Sequence, residues 1–307
     1  MTEPRSPEQL LLDDLAALAD VVRADLAARL DRLDLPENLL EAVRYSVLDG
    51  GKRLRPTLTI LSCEAVGGDR EAAMPAACAI ELIHCFSLVH DDLPAMDDDD
   101  LRRGRPTLHR HAGEAMAILA GDVMVSVAFE WLDQAELPGE ARSMLVAELA
   151  RATSAMIAGQ VYDTLGGFDR SMPDVQRLLL IHRNKTEALI RCACRMGALS
   201  GGAMSGGASG ADDEGLAALT SYGESIGLMF QIVDDLLDVT QTAEHIGKAT
   251  GKDLPAGKLT YPGLCGIEAS QKEIARLQQA ALNALEGLGE SARPLADICN
   301  YLAVRTR

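Results

Sequence analysis

Apolar residues recur every three to four positions along most of this chain, and no stretch alternates apolar and polar residues as a half-buried strand would. Between residues 7 and 33, for example, leucines fall at Leu11, Leu15, Leu18, Leu26 and Leu30. This spacing places them on one face of a helix. The same pattern predicts helices at 38–47, from Pro56 onward, and at 72–93, 112–135, 138–165, 173–200, 212–240, 269–287 and 291–304.

Glycine and proline interrupt these patterns at the expected helix ends. The Gly/Ser-rich segment 201–210 predicts a loop, and glycines between 247 and 262 predict a second, longer one. Two helices are apolar on most sides, toward the ends of 72–93 and 212–240, and are therefore expected to be buried. We predict an all-α, single-domain bundle of roughly ten helices spanning 1–307.

The composition fits packed helices and excludes one class of partner. Aromatic residues make up only 3% of the 307 residues, so Leu, Ala, Val, Ile and Met must form the core. A net charge of −17 argues against nucleic acid binding, which needs a basic surface. The seven cysteines have no zinc-like spacing and are expected to be reduced and mostly buried. No signal peptide or membrane-spanning stretch is recognised, and we expect a soluble cytoplasmic protein that is not embedded in a membrane.

Two aspartate clusters stand at the ends of the two most apolar helices. The first contains Asp91, Asp92 and Asp97, and the second contains Asp234, Asp235 and Asp238. Crowded carboxylates repel one another unless a divalent cation lies between them, and Mg²⁺ prefers carboxylate oxygens. Arginines beside the first cluster indicate phosphate oxygens as further metal ligands. The sequence therefore predicts a Mg²⁺-diphosphate site built from two facing helices.

The spacing within each cluster suits this role. Asp234 and Asp238 are four residues apart and share a helix face. Asp91 and Asp97 are six apart and would diverge on an unbroken helix, but Pro94 supplies a break that lets the chain turn back.

Small groups of basic residues offer candidate anion sites. The segment 50–56 has two glycines and three basic residues in front of a helix, where backbone N–H groups and the helix dipole favour an anion. Arg53 alternates with Lys52 and Arg55, and is interpreted as an ordinary surface charge that points elsewhere. Gln160 and Asp163 are either a polar contact inside the bundle or part of the site.

These motifs, in this order, resemble the trans-isoprenyl diphosphate synthases, and most closely the bacterial-type farnesyl diphosphate synthases. The resemblance covers residues 45–262 and rests on four segments. They are Gly50–Pro56, Asp91–Gly104, Phe230–Asp238 and the Gly-Lys pairs from Gly247 to Lys258 with Thr260–Pro262. It implies the all-α isoprenoid synthase fold around a central apolar cavity, three Mg²⁺ ions and a homodimer.

The resemblance also implies a reaction, the 1′–4 condensation of isopentenyl diphosphate with dimethylallyl and then geranyl diphosphate. Mg²⁺ would be held by Asp91, Asp97 and Asp234, supported by Asp92, Asp235 and Asp238. The diphosphate of the allylic substrate would be neutralised by Arg102, Lys185, Lys248 and Lys258. Thr186 and Gln231 would stabilise the allylic cation. Isopentenyl diphosphate would bind Lys52, Arg55, His84 and Arg103.

Phe86, five residues before Asp91, corresponds to the aromatic floor of the product cavity in farnesyl-type relatives, with Ser87 beside it. The resemblance thus implies a C15 product, farnesyl diphosphate, while geranylgeranyl or geranyl diphosphate remains the alternative. A terpene cyclase is disfavoured because the second cluster is all aspartate and the Gly-Lys-Arg segment is present. A non-catalytic subunit of a heteromeric prenyltransferase is disfavoured because no site residue is missing. The basic C-terminus, Arg305–Arg307, is expected to be exposed and frayed.

Overall fold

The computed structural model describes residues 6–204, 213–246 and 259–305, and almost every described element is a helix. Thirteen α-helices are present in these ranges: α1 Pro7–Leu30, α2 Glu37–Val47, α3 Leu54–Ala65, α4 Arg70–Asp91, α5 Leu108–Ala112, α6 Glu114–Asp133, α7 Gly139–Leu165, α8 Asp174–His182, α9 Ala188–Met204, α10 Asp213–Ile246, α11 Tyr261–Cys265, α12 Ile267–Leu285 and α13 Arg293–Val304. A π-helical turn, Arg183–Glu187, joins α8 to α9, and a 3₁₀ segment, Glu286–Ala292, joins α12 to α13. The predicted all-α fold is confirmed.

The helix ends follow local sequence signals. The Ser6 hydroxyl accepts a hydrogen bond from Gln9 N at the start of α1, and the Thr260 hydroxyl does the same for Gly263 N at the start of α11. Pro94 stops α4 at Asp91, two residues earlier than the apolar pattern indicates, because the residue before a proline disfavours helical geometry.

Two details of the predicted elements were wrong. The segment expected to be a loop from residue 201 continues as helix α9 to Met204, where Gly201 packs closely against Cys63 and Val66. Strands were not expected, yet Leu101–Arg102 (β1) pairs with Arg105–Pro106 (β2) in a two-residue antiparallel ladder. This hairpin is too short to produce a periodic pattern, and its turn carries Arg103.

The described chain forms two compact units. The first comprises residues 6–150, 193–204 and Asp213, and the second comprises 151–192, 214–246 and 259–305. The unit boundaries fall inside α7 and α9 rather than in a linker. The single domain remains a prediction of the sequence.

In the first unit, α4 is the central helix and packs against α3 and α6. Ile80, Leu82 and Ile83 on α4 have no solvent exposure, as expected for a helix that is apolar on most sides. In the second unit, α12 packs against α13, and the Tyr222 hydroxyl of α10 donates a 2.7 Å hydrogen bond to the Leu295 carbonyl of α13.

By length and composition, the expectation that no stretch could span a membrane was wrong. Both α4 and α6 are long and apolar enough to do so. Most of α4 and just under half of α6 are buried inside the protein, however, and burial in a core accounts for such a composition as readily as a membrane does. The seven cysteines are free thiols, as predicted, and six of them are buried.

Candidate functional site

The first aspartate cluster follows directly from the end of α4. The turn predicted at Pro94 is present. The Asp97 N–H donates a 2.9 Å hydrogen bond back to the Asp91 carbonyl, so the backbones of these two residues are in contact. Asp91 is half-buried and Asp97 is exposed. The turn at Pro94 therefore brings together the backbones of two aspartates that a continuous helix would separate.

Asp92 has a different environment from its neighbours. Its side chain is only 4% exposed and is held by two nitrogens of Arg102: Nε lies 2.8 and 3.0 Å from the two carboxylate oxygens, and Nη2 lies 2.6 Å from Oδ1. A fork of this kind is among the stronger charge-assisted contacts. It fixes Arg102 of β1 against the end of α4. Asp92 therefore supports the cluster by holding this arginine in place.

A group of cations lies beside this cluster, within the first unit. Burial lowers the pKa of His84 well below its usual range, and the positive charges of Arg55, Arg103, Arg53 and Arg102 lower it further. His84 is therefore a neutral imidazole at pH 7. Burial likewise lowers the pKa of Arg55, whose Nε makes no hydrogen bond to any of the described residues.

The Gly50–Gly51 turn leaves space for Arg103. Both glycines have positive φ, and a Cβ on Gly51 would lie 2.7 Å from the Arg103 Nη1 atom. Lys52 is exposed immediately after them. Cations this close together repel one another, so the group is suited to hold an anion of high charge.

The second aspartate cluster lies on α10, in the second unit, at the end of a chain of hydrogen bonds. The Thr186 hydroxyl donates to Gln231 Oε1 at 3.0 Å, and Gln231 Nε2 donates to Asp234 at 3.4 Å. Asp234 also pairs with Arg305 at 2.5 Å, and the Arg305 guanidinium lies 4.0 Å from the centre of the Phe230 ring. The expectation of a frayed, exposed Arg305 was wrong, because these contacts leave its side chain only 8% exposed.

Asp235 and Asp238 differ in exposure. Asp235 accepts a 2.8 Å hydrogen bond from the backbone N–H of Tyr261 and lies 3.5 Å from the buried His182 ring. Asp238 is exposed, one turn further along α10. Asp234 and Asp238 share a helix face, as the four-residue spacing predicts.

Lys185 and Thr186 stand on the π-helical turn, a distortion that is frequent at functional sites. Gly159 of α7 packs directly on this turn. A Cβ there would lie 2.7 Å from Asn184 C and from Lys185 Cα, and it would also clash with Lys185 N. Lys185 Nζ pairs with Asp163 at 2.6 Å, so Asp163 contacts a candidate site residue. Gln160 Nε2 contacts the Thr164 hydroxyl at 3.3 Å.

Phe86 is buried on α4, and its ring stands edge-on to His90 at 5.2 Å. His90 Nε2 lies 3.2 Å from the Ile118 carbonyl of α6, so this face of α4 is the one that packs on α6. The Ser87 hydroxyl donates to the His84 carbonyl at 2.9 Å. Lys248, Lys258 and Arg307 lie outside the described residues.

The donors on each cluster fit Mg²⁺ in kind, since they are carboxylates and all but Asp92 are at least partly exposed. Within the described ranges, no three His, Cys, Asp or Glu side chains are already arranged to hold a metal ion. Any Mg²⁺ would therefore take part of its coordination from water or substrate oxygens, as this ion usually does.

Comparison with known proteins identifies the family. Residues 36–292 match the model of the polyprenyl synthetase family. The chain belongs to the polyprenyl synthetase family. Geranylgeranyl pyrophosphate synthase 11, chloroplastic, of Arabidopsis thaliana is 46% identical over 280 residues, which are 89% of this chain and 76% of that protein.

Solved structures agree with this assignment. An FPP/GFPP synthase of Zymomonas mobilis superposes with a TM-score of 0.82 at 33% identity, covering 97% of this chain and all (100%) of the other. A geranyltransferase of Legionella pneumophila gives a TM-score of 0.83 at 32% identity, covering 97% and 98%. The isoprenoid synthase fold and a prenyltransferase activity follow for this member of the polyprenyl synthetases.

Several contacts around the candidate residues of this synthase were missed from sequence. Asp163, His182 and Arg305 contact Lys185, Asp235 and Asp234. Two of them had a signal in the sequence: Asp163, which lies three residues from Gln160 on one helix, and Arg305, which belongs to the basic C-terminus. Glu81 gave none, although it pairs with the buried Arg53, so the interpretation of Arg53 as a surface charge was also wrong.

Proposed function

We propose that this synthase condenses isopentenyl diphosphate with allylic diphosphates in a Mg²⁺-dependent 1′–4 reaction, and that its main product is geranylgeranyl diphosphate (C20). The observation that supports this proposal most is the group of cations around His84, which lies in the same unit as the Asp91–Asp97 turn and would suit an anion. The family match and the activity named for its relatives support the same chemistry.

Isopentenyl diphosphate is proposed to bind Lys52, Arg55, His84 and Arg103. The buried Arg55 Nε without a hydrogen bond in the described structure is the kind of donor that a diphosphate oxygen would satisfy. Because His84 is held neutral, one ring nitrogen can donate a hydrogen bond without adding a further charge. No group in this set acts as a base in the proposal.

The allylic diphosphate is proposed to use both aspartate clusters together with Arg102, Lys185, Lys248 and Lys258. Bound Mg²⁺, expected as three ions, would stabilise the charge that grows on the departing diphosphate. Thr186 and Gln231 are proposed to stabilise the allylic cation, and their mutual 3.0 Å hydrogen bond holds both groups in place. In the proposed reaction the allylic C–O bond breaks and the double bond of isopentenyl diphosphate forms the new C–C bond to the allylic cation. The carbocation that results then loses a proton to the departing diphosphate, which restores a double bond.

One residue favours a shorter product, farnesyl diphosphate (C15), as the alternative. Phe86 occupies the position where the sequence predicts a cavity floor, and its ring is held by His90. Geranylgeranyl diphosphate remains the leading proposal because the curated relatives at about 46% identity are named for it.

Product analysis decides between these lengths. The protein is incubated with Mg²⁺, isopentenyl diphosphate and each of dimethylallyl, geranyl and farnesyl diphosphate, and the products are measured by mass spectrometry. Elongation of farnesyl diphosphate to C20 is expected. Accumulation of C15 without elongation would instead support Phe86 as the floor, and in that case Phe86→Ala should lengthen the product.

The proposal also includes the oligomeric state of the protein and its cellular location. We propose that the protein is cytoplasmic and forms a homodimer. The dimer is supported by exposed apolar side chains on α6, where Leu119 is 55% exposed and Ile118 is 44% exposed. Light scattering of the purified protein tests this directly: a dimer mass is expected, and a monomer that is fully active would contradict it.

A further inference from the structure

Arg53 is the largest fully buried side chain of the described protein, although it lies in the most basic segment of the sequence. Its Nη1 donates to Glu81 Oε1 of α4 at 2.5 Å, and the two side chains are 0% and 3% exposed. Its Nη2 donates to the Val47 carbonyl at the end of α2. One side chain thus ties the basic segment to two helices.

The backbone of this segment is held in an uncommon conformation. Arg53 has φ 49° and ψ 37°, in the left-handed region that non-glycine residues seldom adopt. Such a conformation persists only where the surrounding contacts fix it. Gly50 and Gly51 also have positive φ, so the contacts of Arg53 hold a short segment with little regular hydrogen bonding of its own.

The neighbours of this ion pair are the residues proposed to bind isopentenyl diphosphate. Lys52 and Arg55 flank Arg53 in the chain, and His84 follows Glu81 by three residues on α4, which is close to one helical turn. The pair therefore joins the two elements that carry these three groups. Glu81 also provides a buried negative charge that acts on both Arg53 and Arg55.

We propose that Arg53 and Glu81 are positioning residues for isopentenyl diphosphate: their buried ion pair fixes the basic segment, with Lys52 and Arg55, relative to His84 on α4. The pair does not touch the substrate and acts through these three side chains. The inference rests on the proposed function, because it assumes that they bind isopentenyl diphosphate.

The test compares Arg53→Lys and Glu81→Gln with the parent. A lysine ammonium cannot bond Glu81 and the Val47 carbonyl with the same planar fork, and Gln keeps the shape of Glu81 without its charge. In each variant the KM for isopentenyl diphosphate should rise by about tenfold or more. The KM for the allylic diphosphate and the kcat at saturation should change by less than about threefold.

Binding is measured separately from turnover. Calorimetric titration of each metal-free protein with isopentenyl diphosphate should show the same loss of affinity in the variants. This readout keeps the two proposals apart. A parent that binds isopentenyl diphosphate but never condenses it would overturn the proposed function, whereas unchanged affinity in both variants would overturn only the positioning role.

A matched control exists in the same unit. Arg195 Nε pairs with the buried Glu148 at 2.8 Å, away from the basic segment in sequence. Arg195→Lys and Glu148→Gln should lower the thermal midpoint as the test variants do, while leaving the affinity for isopentenyl diphosphate unchanged. Equal losses of affinity in both pairs would show that Arg53 and Glu81 act only through stability, and would overturn the inference.

Discussion

At the scale of single residues, the carboxylates of the candidate site are of two kinds: some are paired with an arginine, and others are exposed to solvent. Asp92 and Asp234 pair with Arg102 and Arg305, while Asp97 and Asp238 are exposed. A carboxylate already held by an arginine is fixed in orientation, and an exposed one can move toward an arriving cation. Each cluster combines both kinds, which suits a metal that binds together with its substrate.

Replacing Asp234 tests whether this residue belongs to the proposed metal site. Asp234→Ala should lower kcat by at least about 10²-fold, the scale of losing one electrostatic contact to the transition state. Steady-state rates with saturating substrates and Mg²⁺ measure the effect. Asp297→Ala, an exposed aspartate of α13, is the control and should keep the parental rate. An Asp234 variant that retained near-full turnover would remove this residue from the proposed metal site.

Glu187, next to Thr186, carries a second residue-scale prediction. Burial and, to a smaller extent, the charge of Glu224 raise its pKa from 4.5 to about 7, against the lowering effect of Arg183 and Arg191. Between these pH values the folded protein holds a proton that the unfolded chain releases. Stability should therefore fall as pH rises from about 4.5 to about 7, and the loss should persist above that.

Glu187→Gln removes this titration. The variant should be more stable than the parent at pH 8, by about 1–3 kcal/mol after allowing for partial solvent screening, and the gap should close near pH 4. Thermal midpoints across this range measure it, with the exposed Glu214→Gln as control. A gap that stayed constant with pH would show that Glu187 is not the titrating group.

At the scale of elements, close helix contacts set the shape of the π-helical turn. Gly159 of α7 meets one side of it, and Gly227 of α10 lies close enough that a Cβ would be 2.9 Å from Glu187 Cα. Both contacts are with backbone atoms, which cannot rotate away as a side chain tip can. The positions of Lys185 and Thr186 therefore depend on two glycines that are distant in sequence.

Gly159→Ala should displace the turn. Because the new Cβ would overlap the backbone at Asn184 and Lys185, kcat should fall by about tenfold or more, in line with the cost of small misplacements in an active site. Gly287→Ala is a suitable control, since nothing lies within 4 Å of a Cβ there. Parental kcat in Gly159→Ala would mean that the turn is not essential to the site.

The same elements show what sequence can and cannot predict. Periodicity located α4 and α10 because a buried helix must repeat its apolar face along the chain. It could not find the pairs Arg53–Glu81 and Asp234–Arg305, whose members lie 28 and 71 residues apart. Nor could it find the π-helical turn, which follows from the approach of Gly159 and Gly227 rather than from a local signal.

At the scale of the whole molecule, the net charge opposes the proposed substrates. A chain of net charge −17 repels a diphosphate at long range, although salt screens this beyond about 8 Å at physiological ionic strength. The cations around His84 therefore have to act at short range, where burial strengthens them. The resemblance predicted Arg55 and Arg103 as partners of His84, and the fold adds the charges of Arg53 and Arg102 to the same group.

Metal-dependent condensation tests the central claim most directly. The purified protein is incubated with labelled isopentenyl diphosphate and, in turn, dimethylallyl, geranyl and farnesyl diphosphate, with Mg²⁺ and with Mg²⁺ removed by a chelator. We predict longer prenyl diphosphates, up to C20, in every Mg²⁺ reaction and none after chelation. Absence of condensation with all three primers at saturating Mg²⁺ would contradict the proposed function.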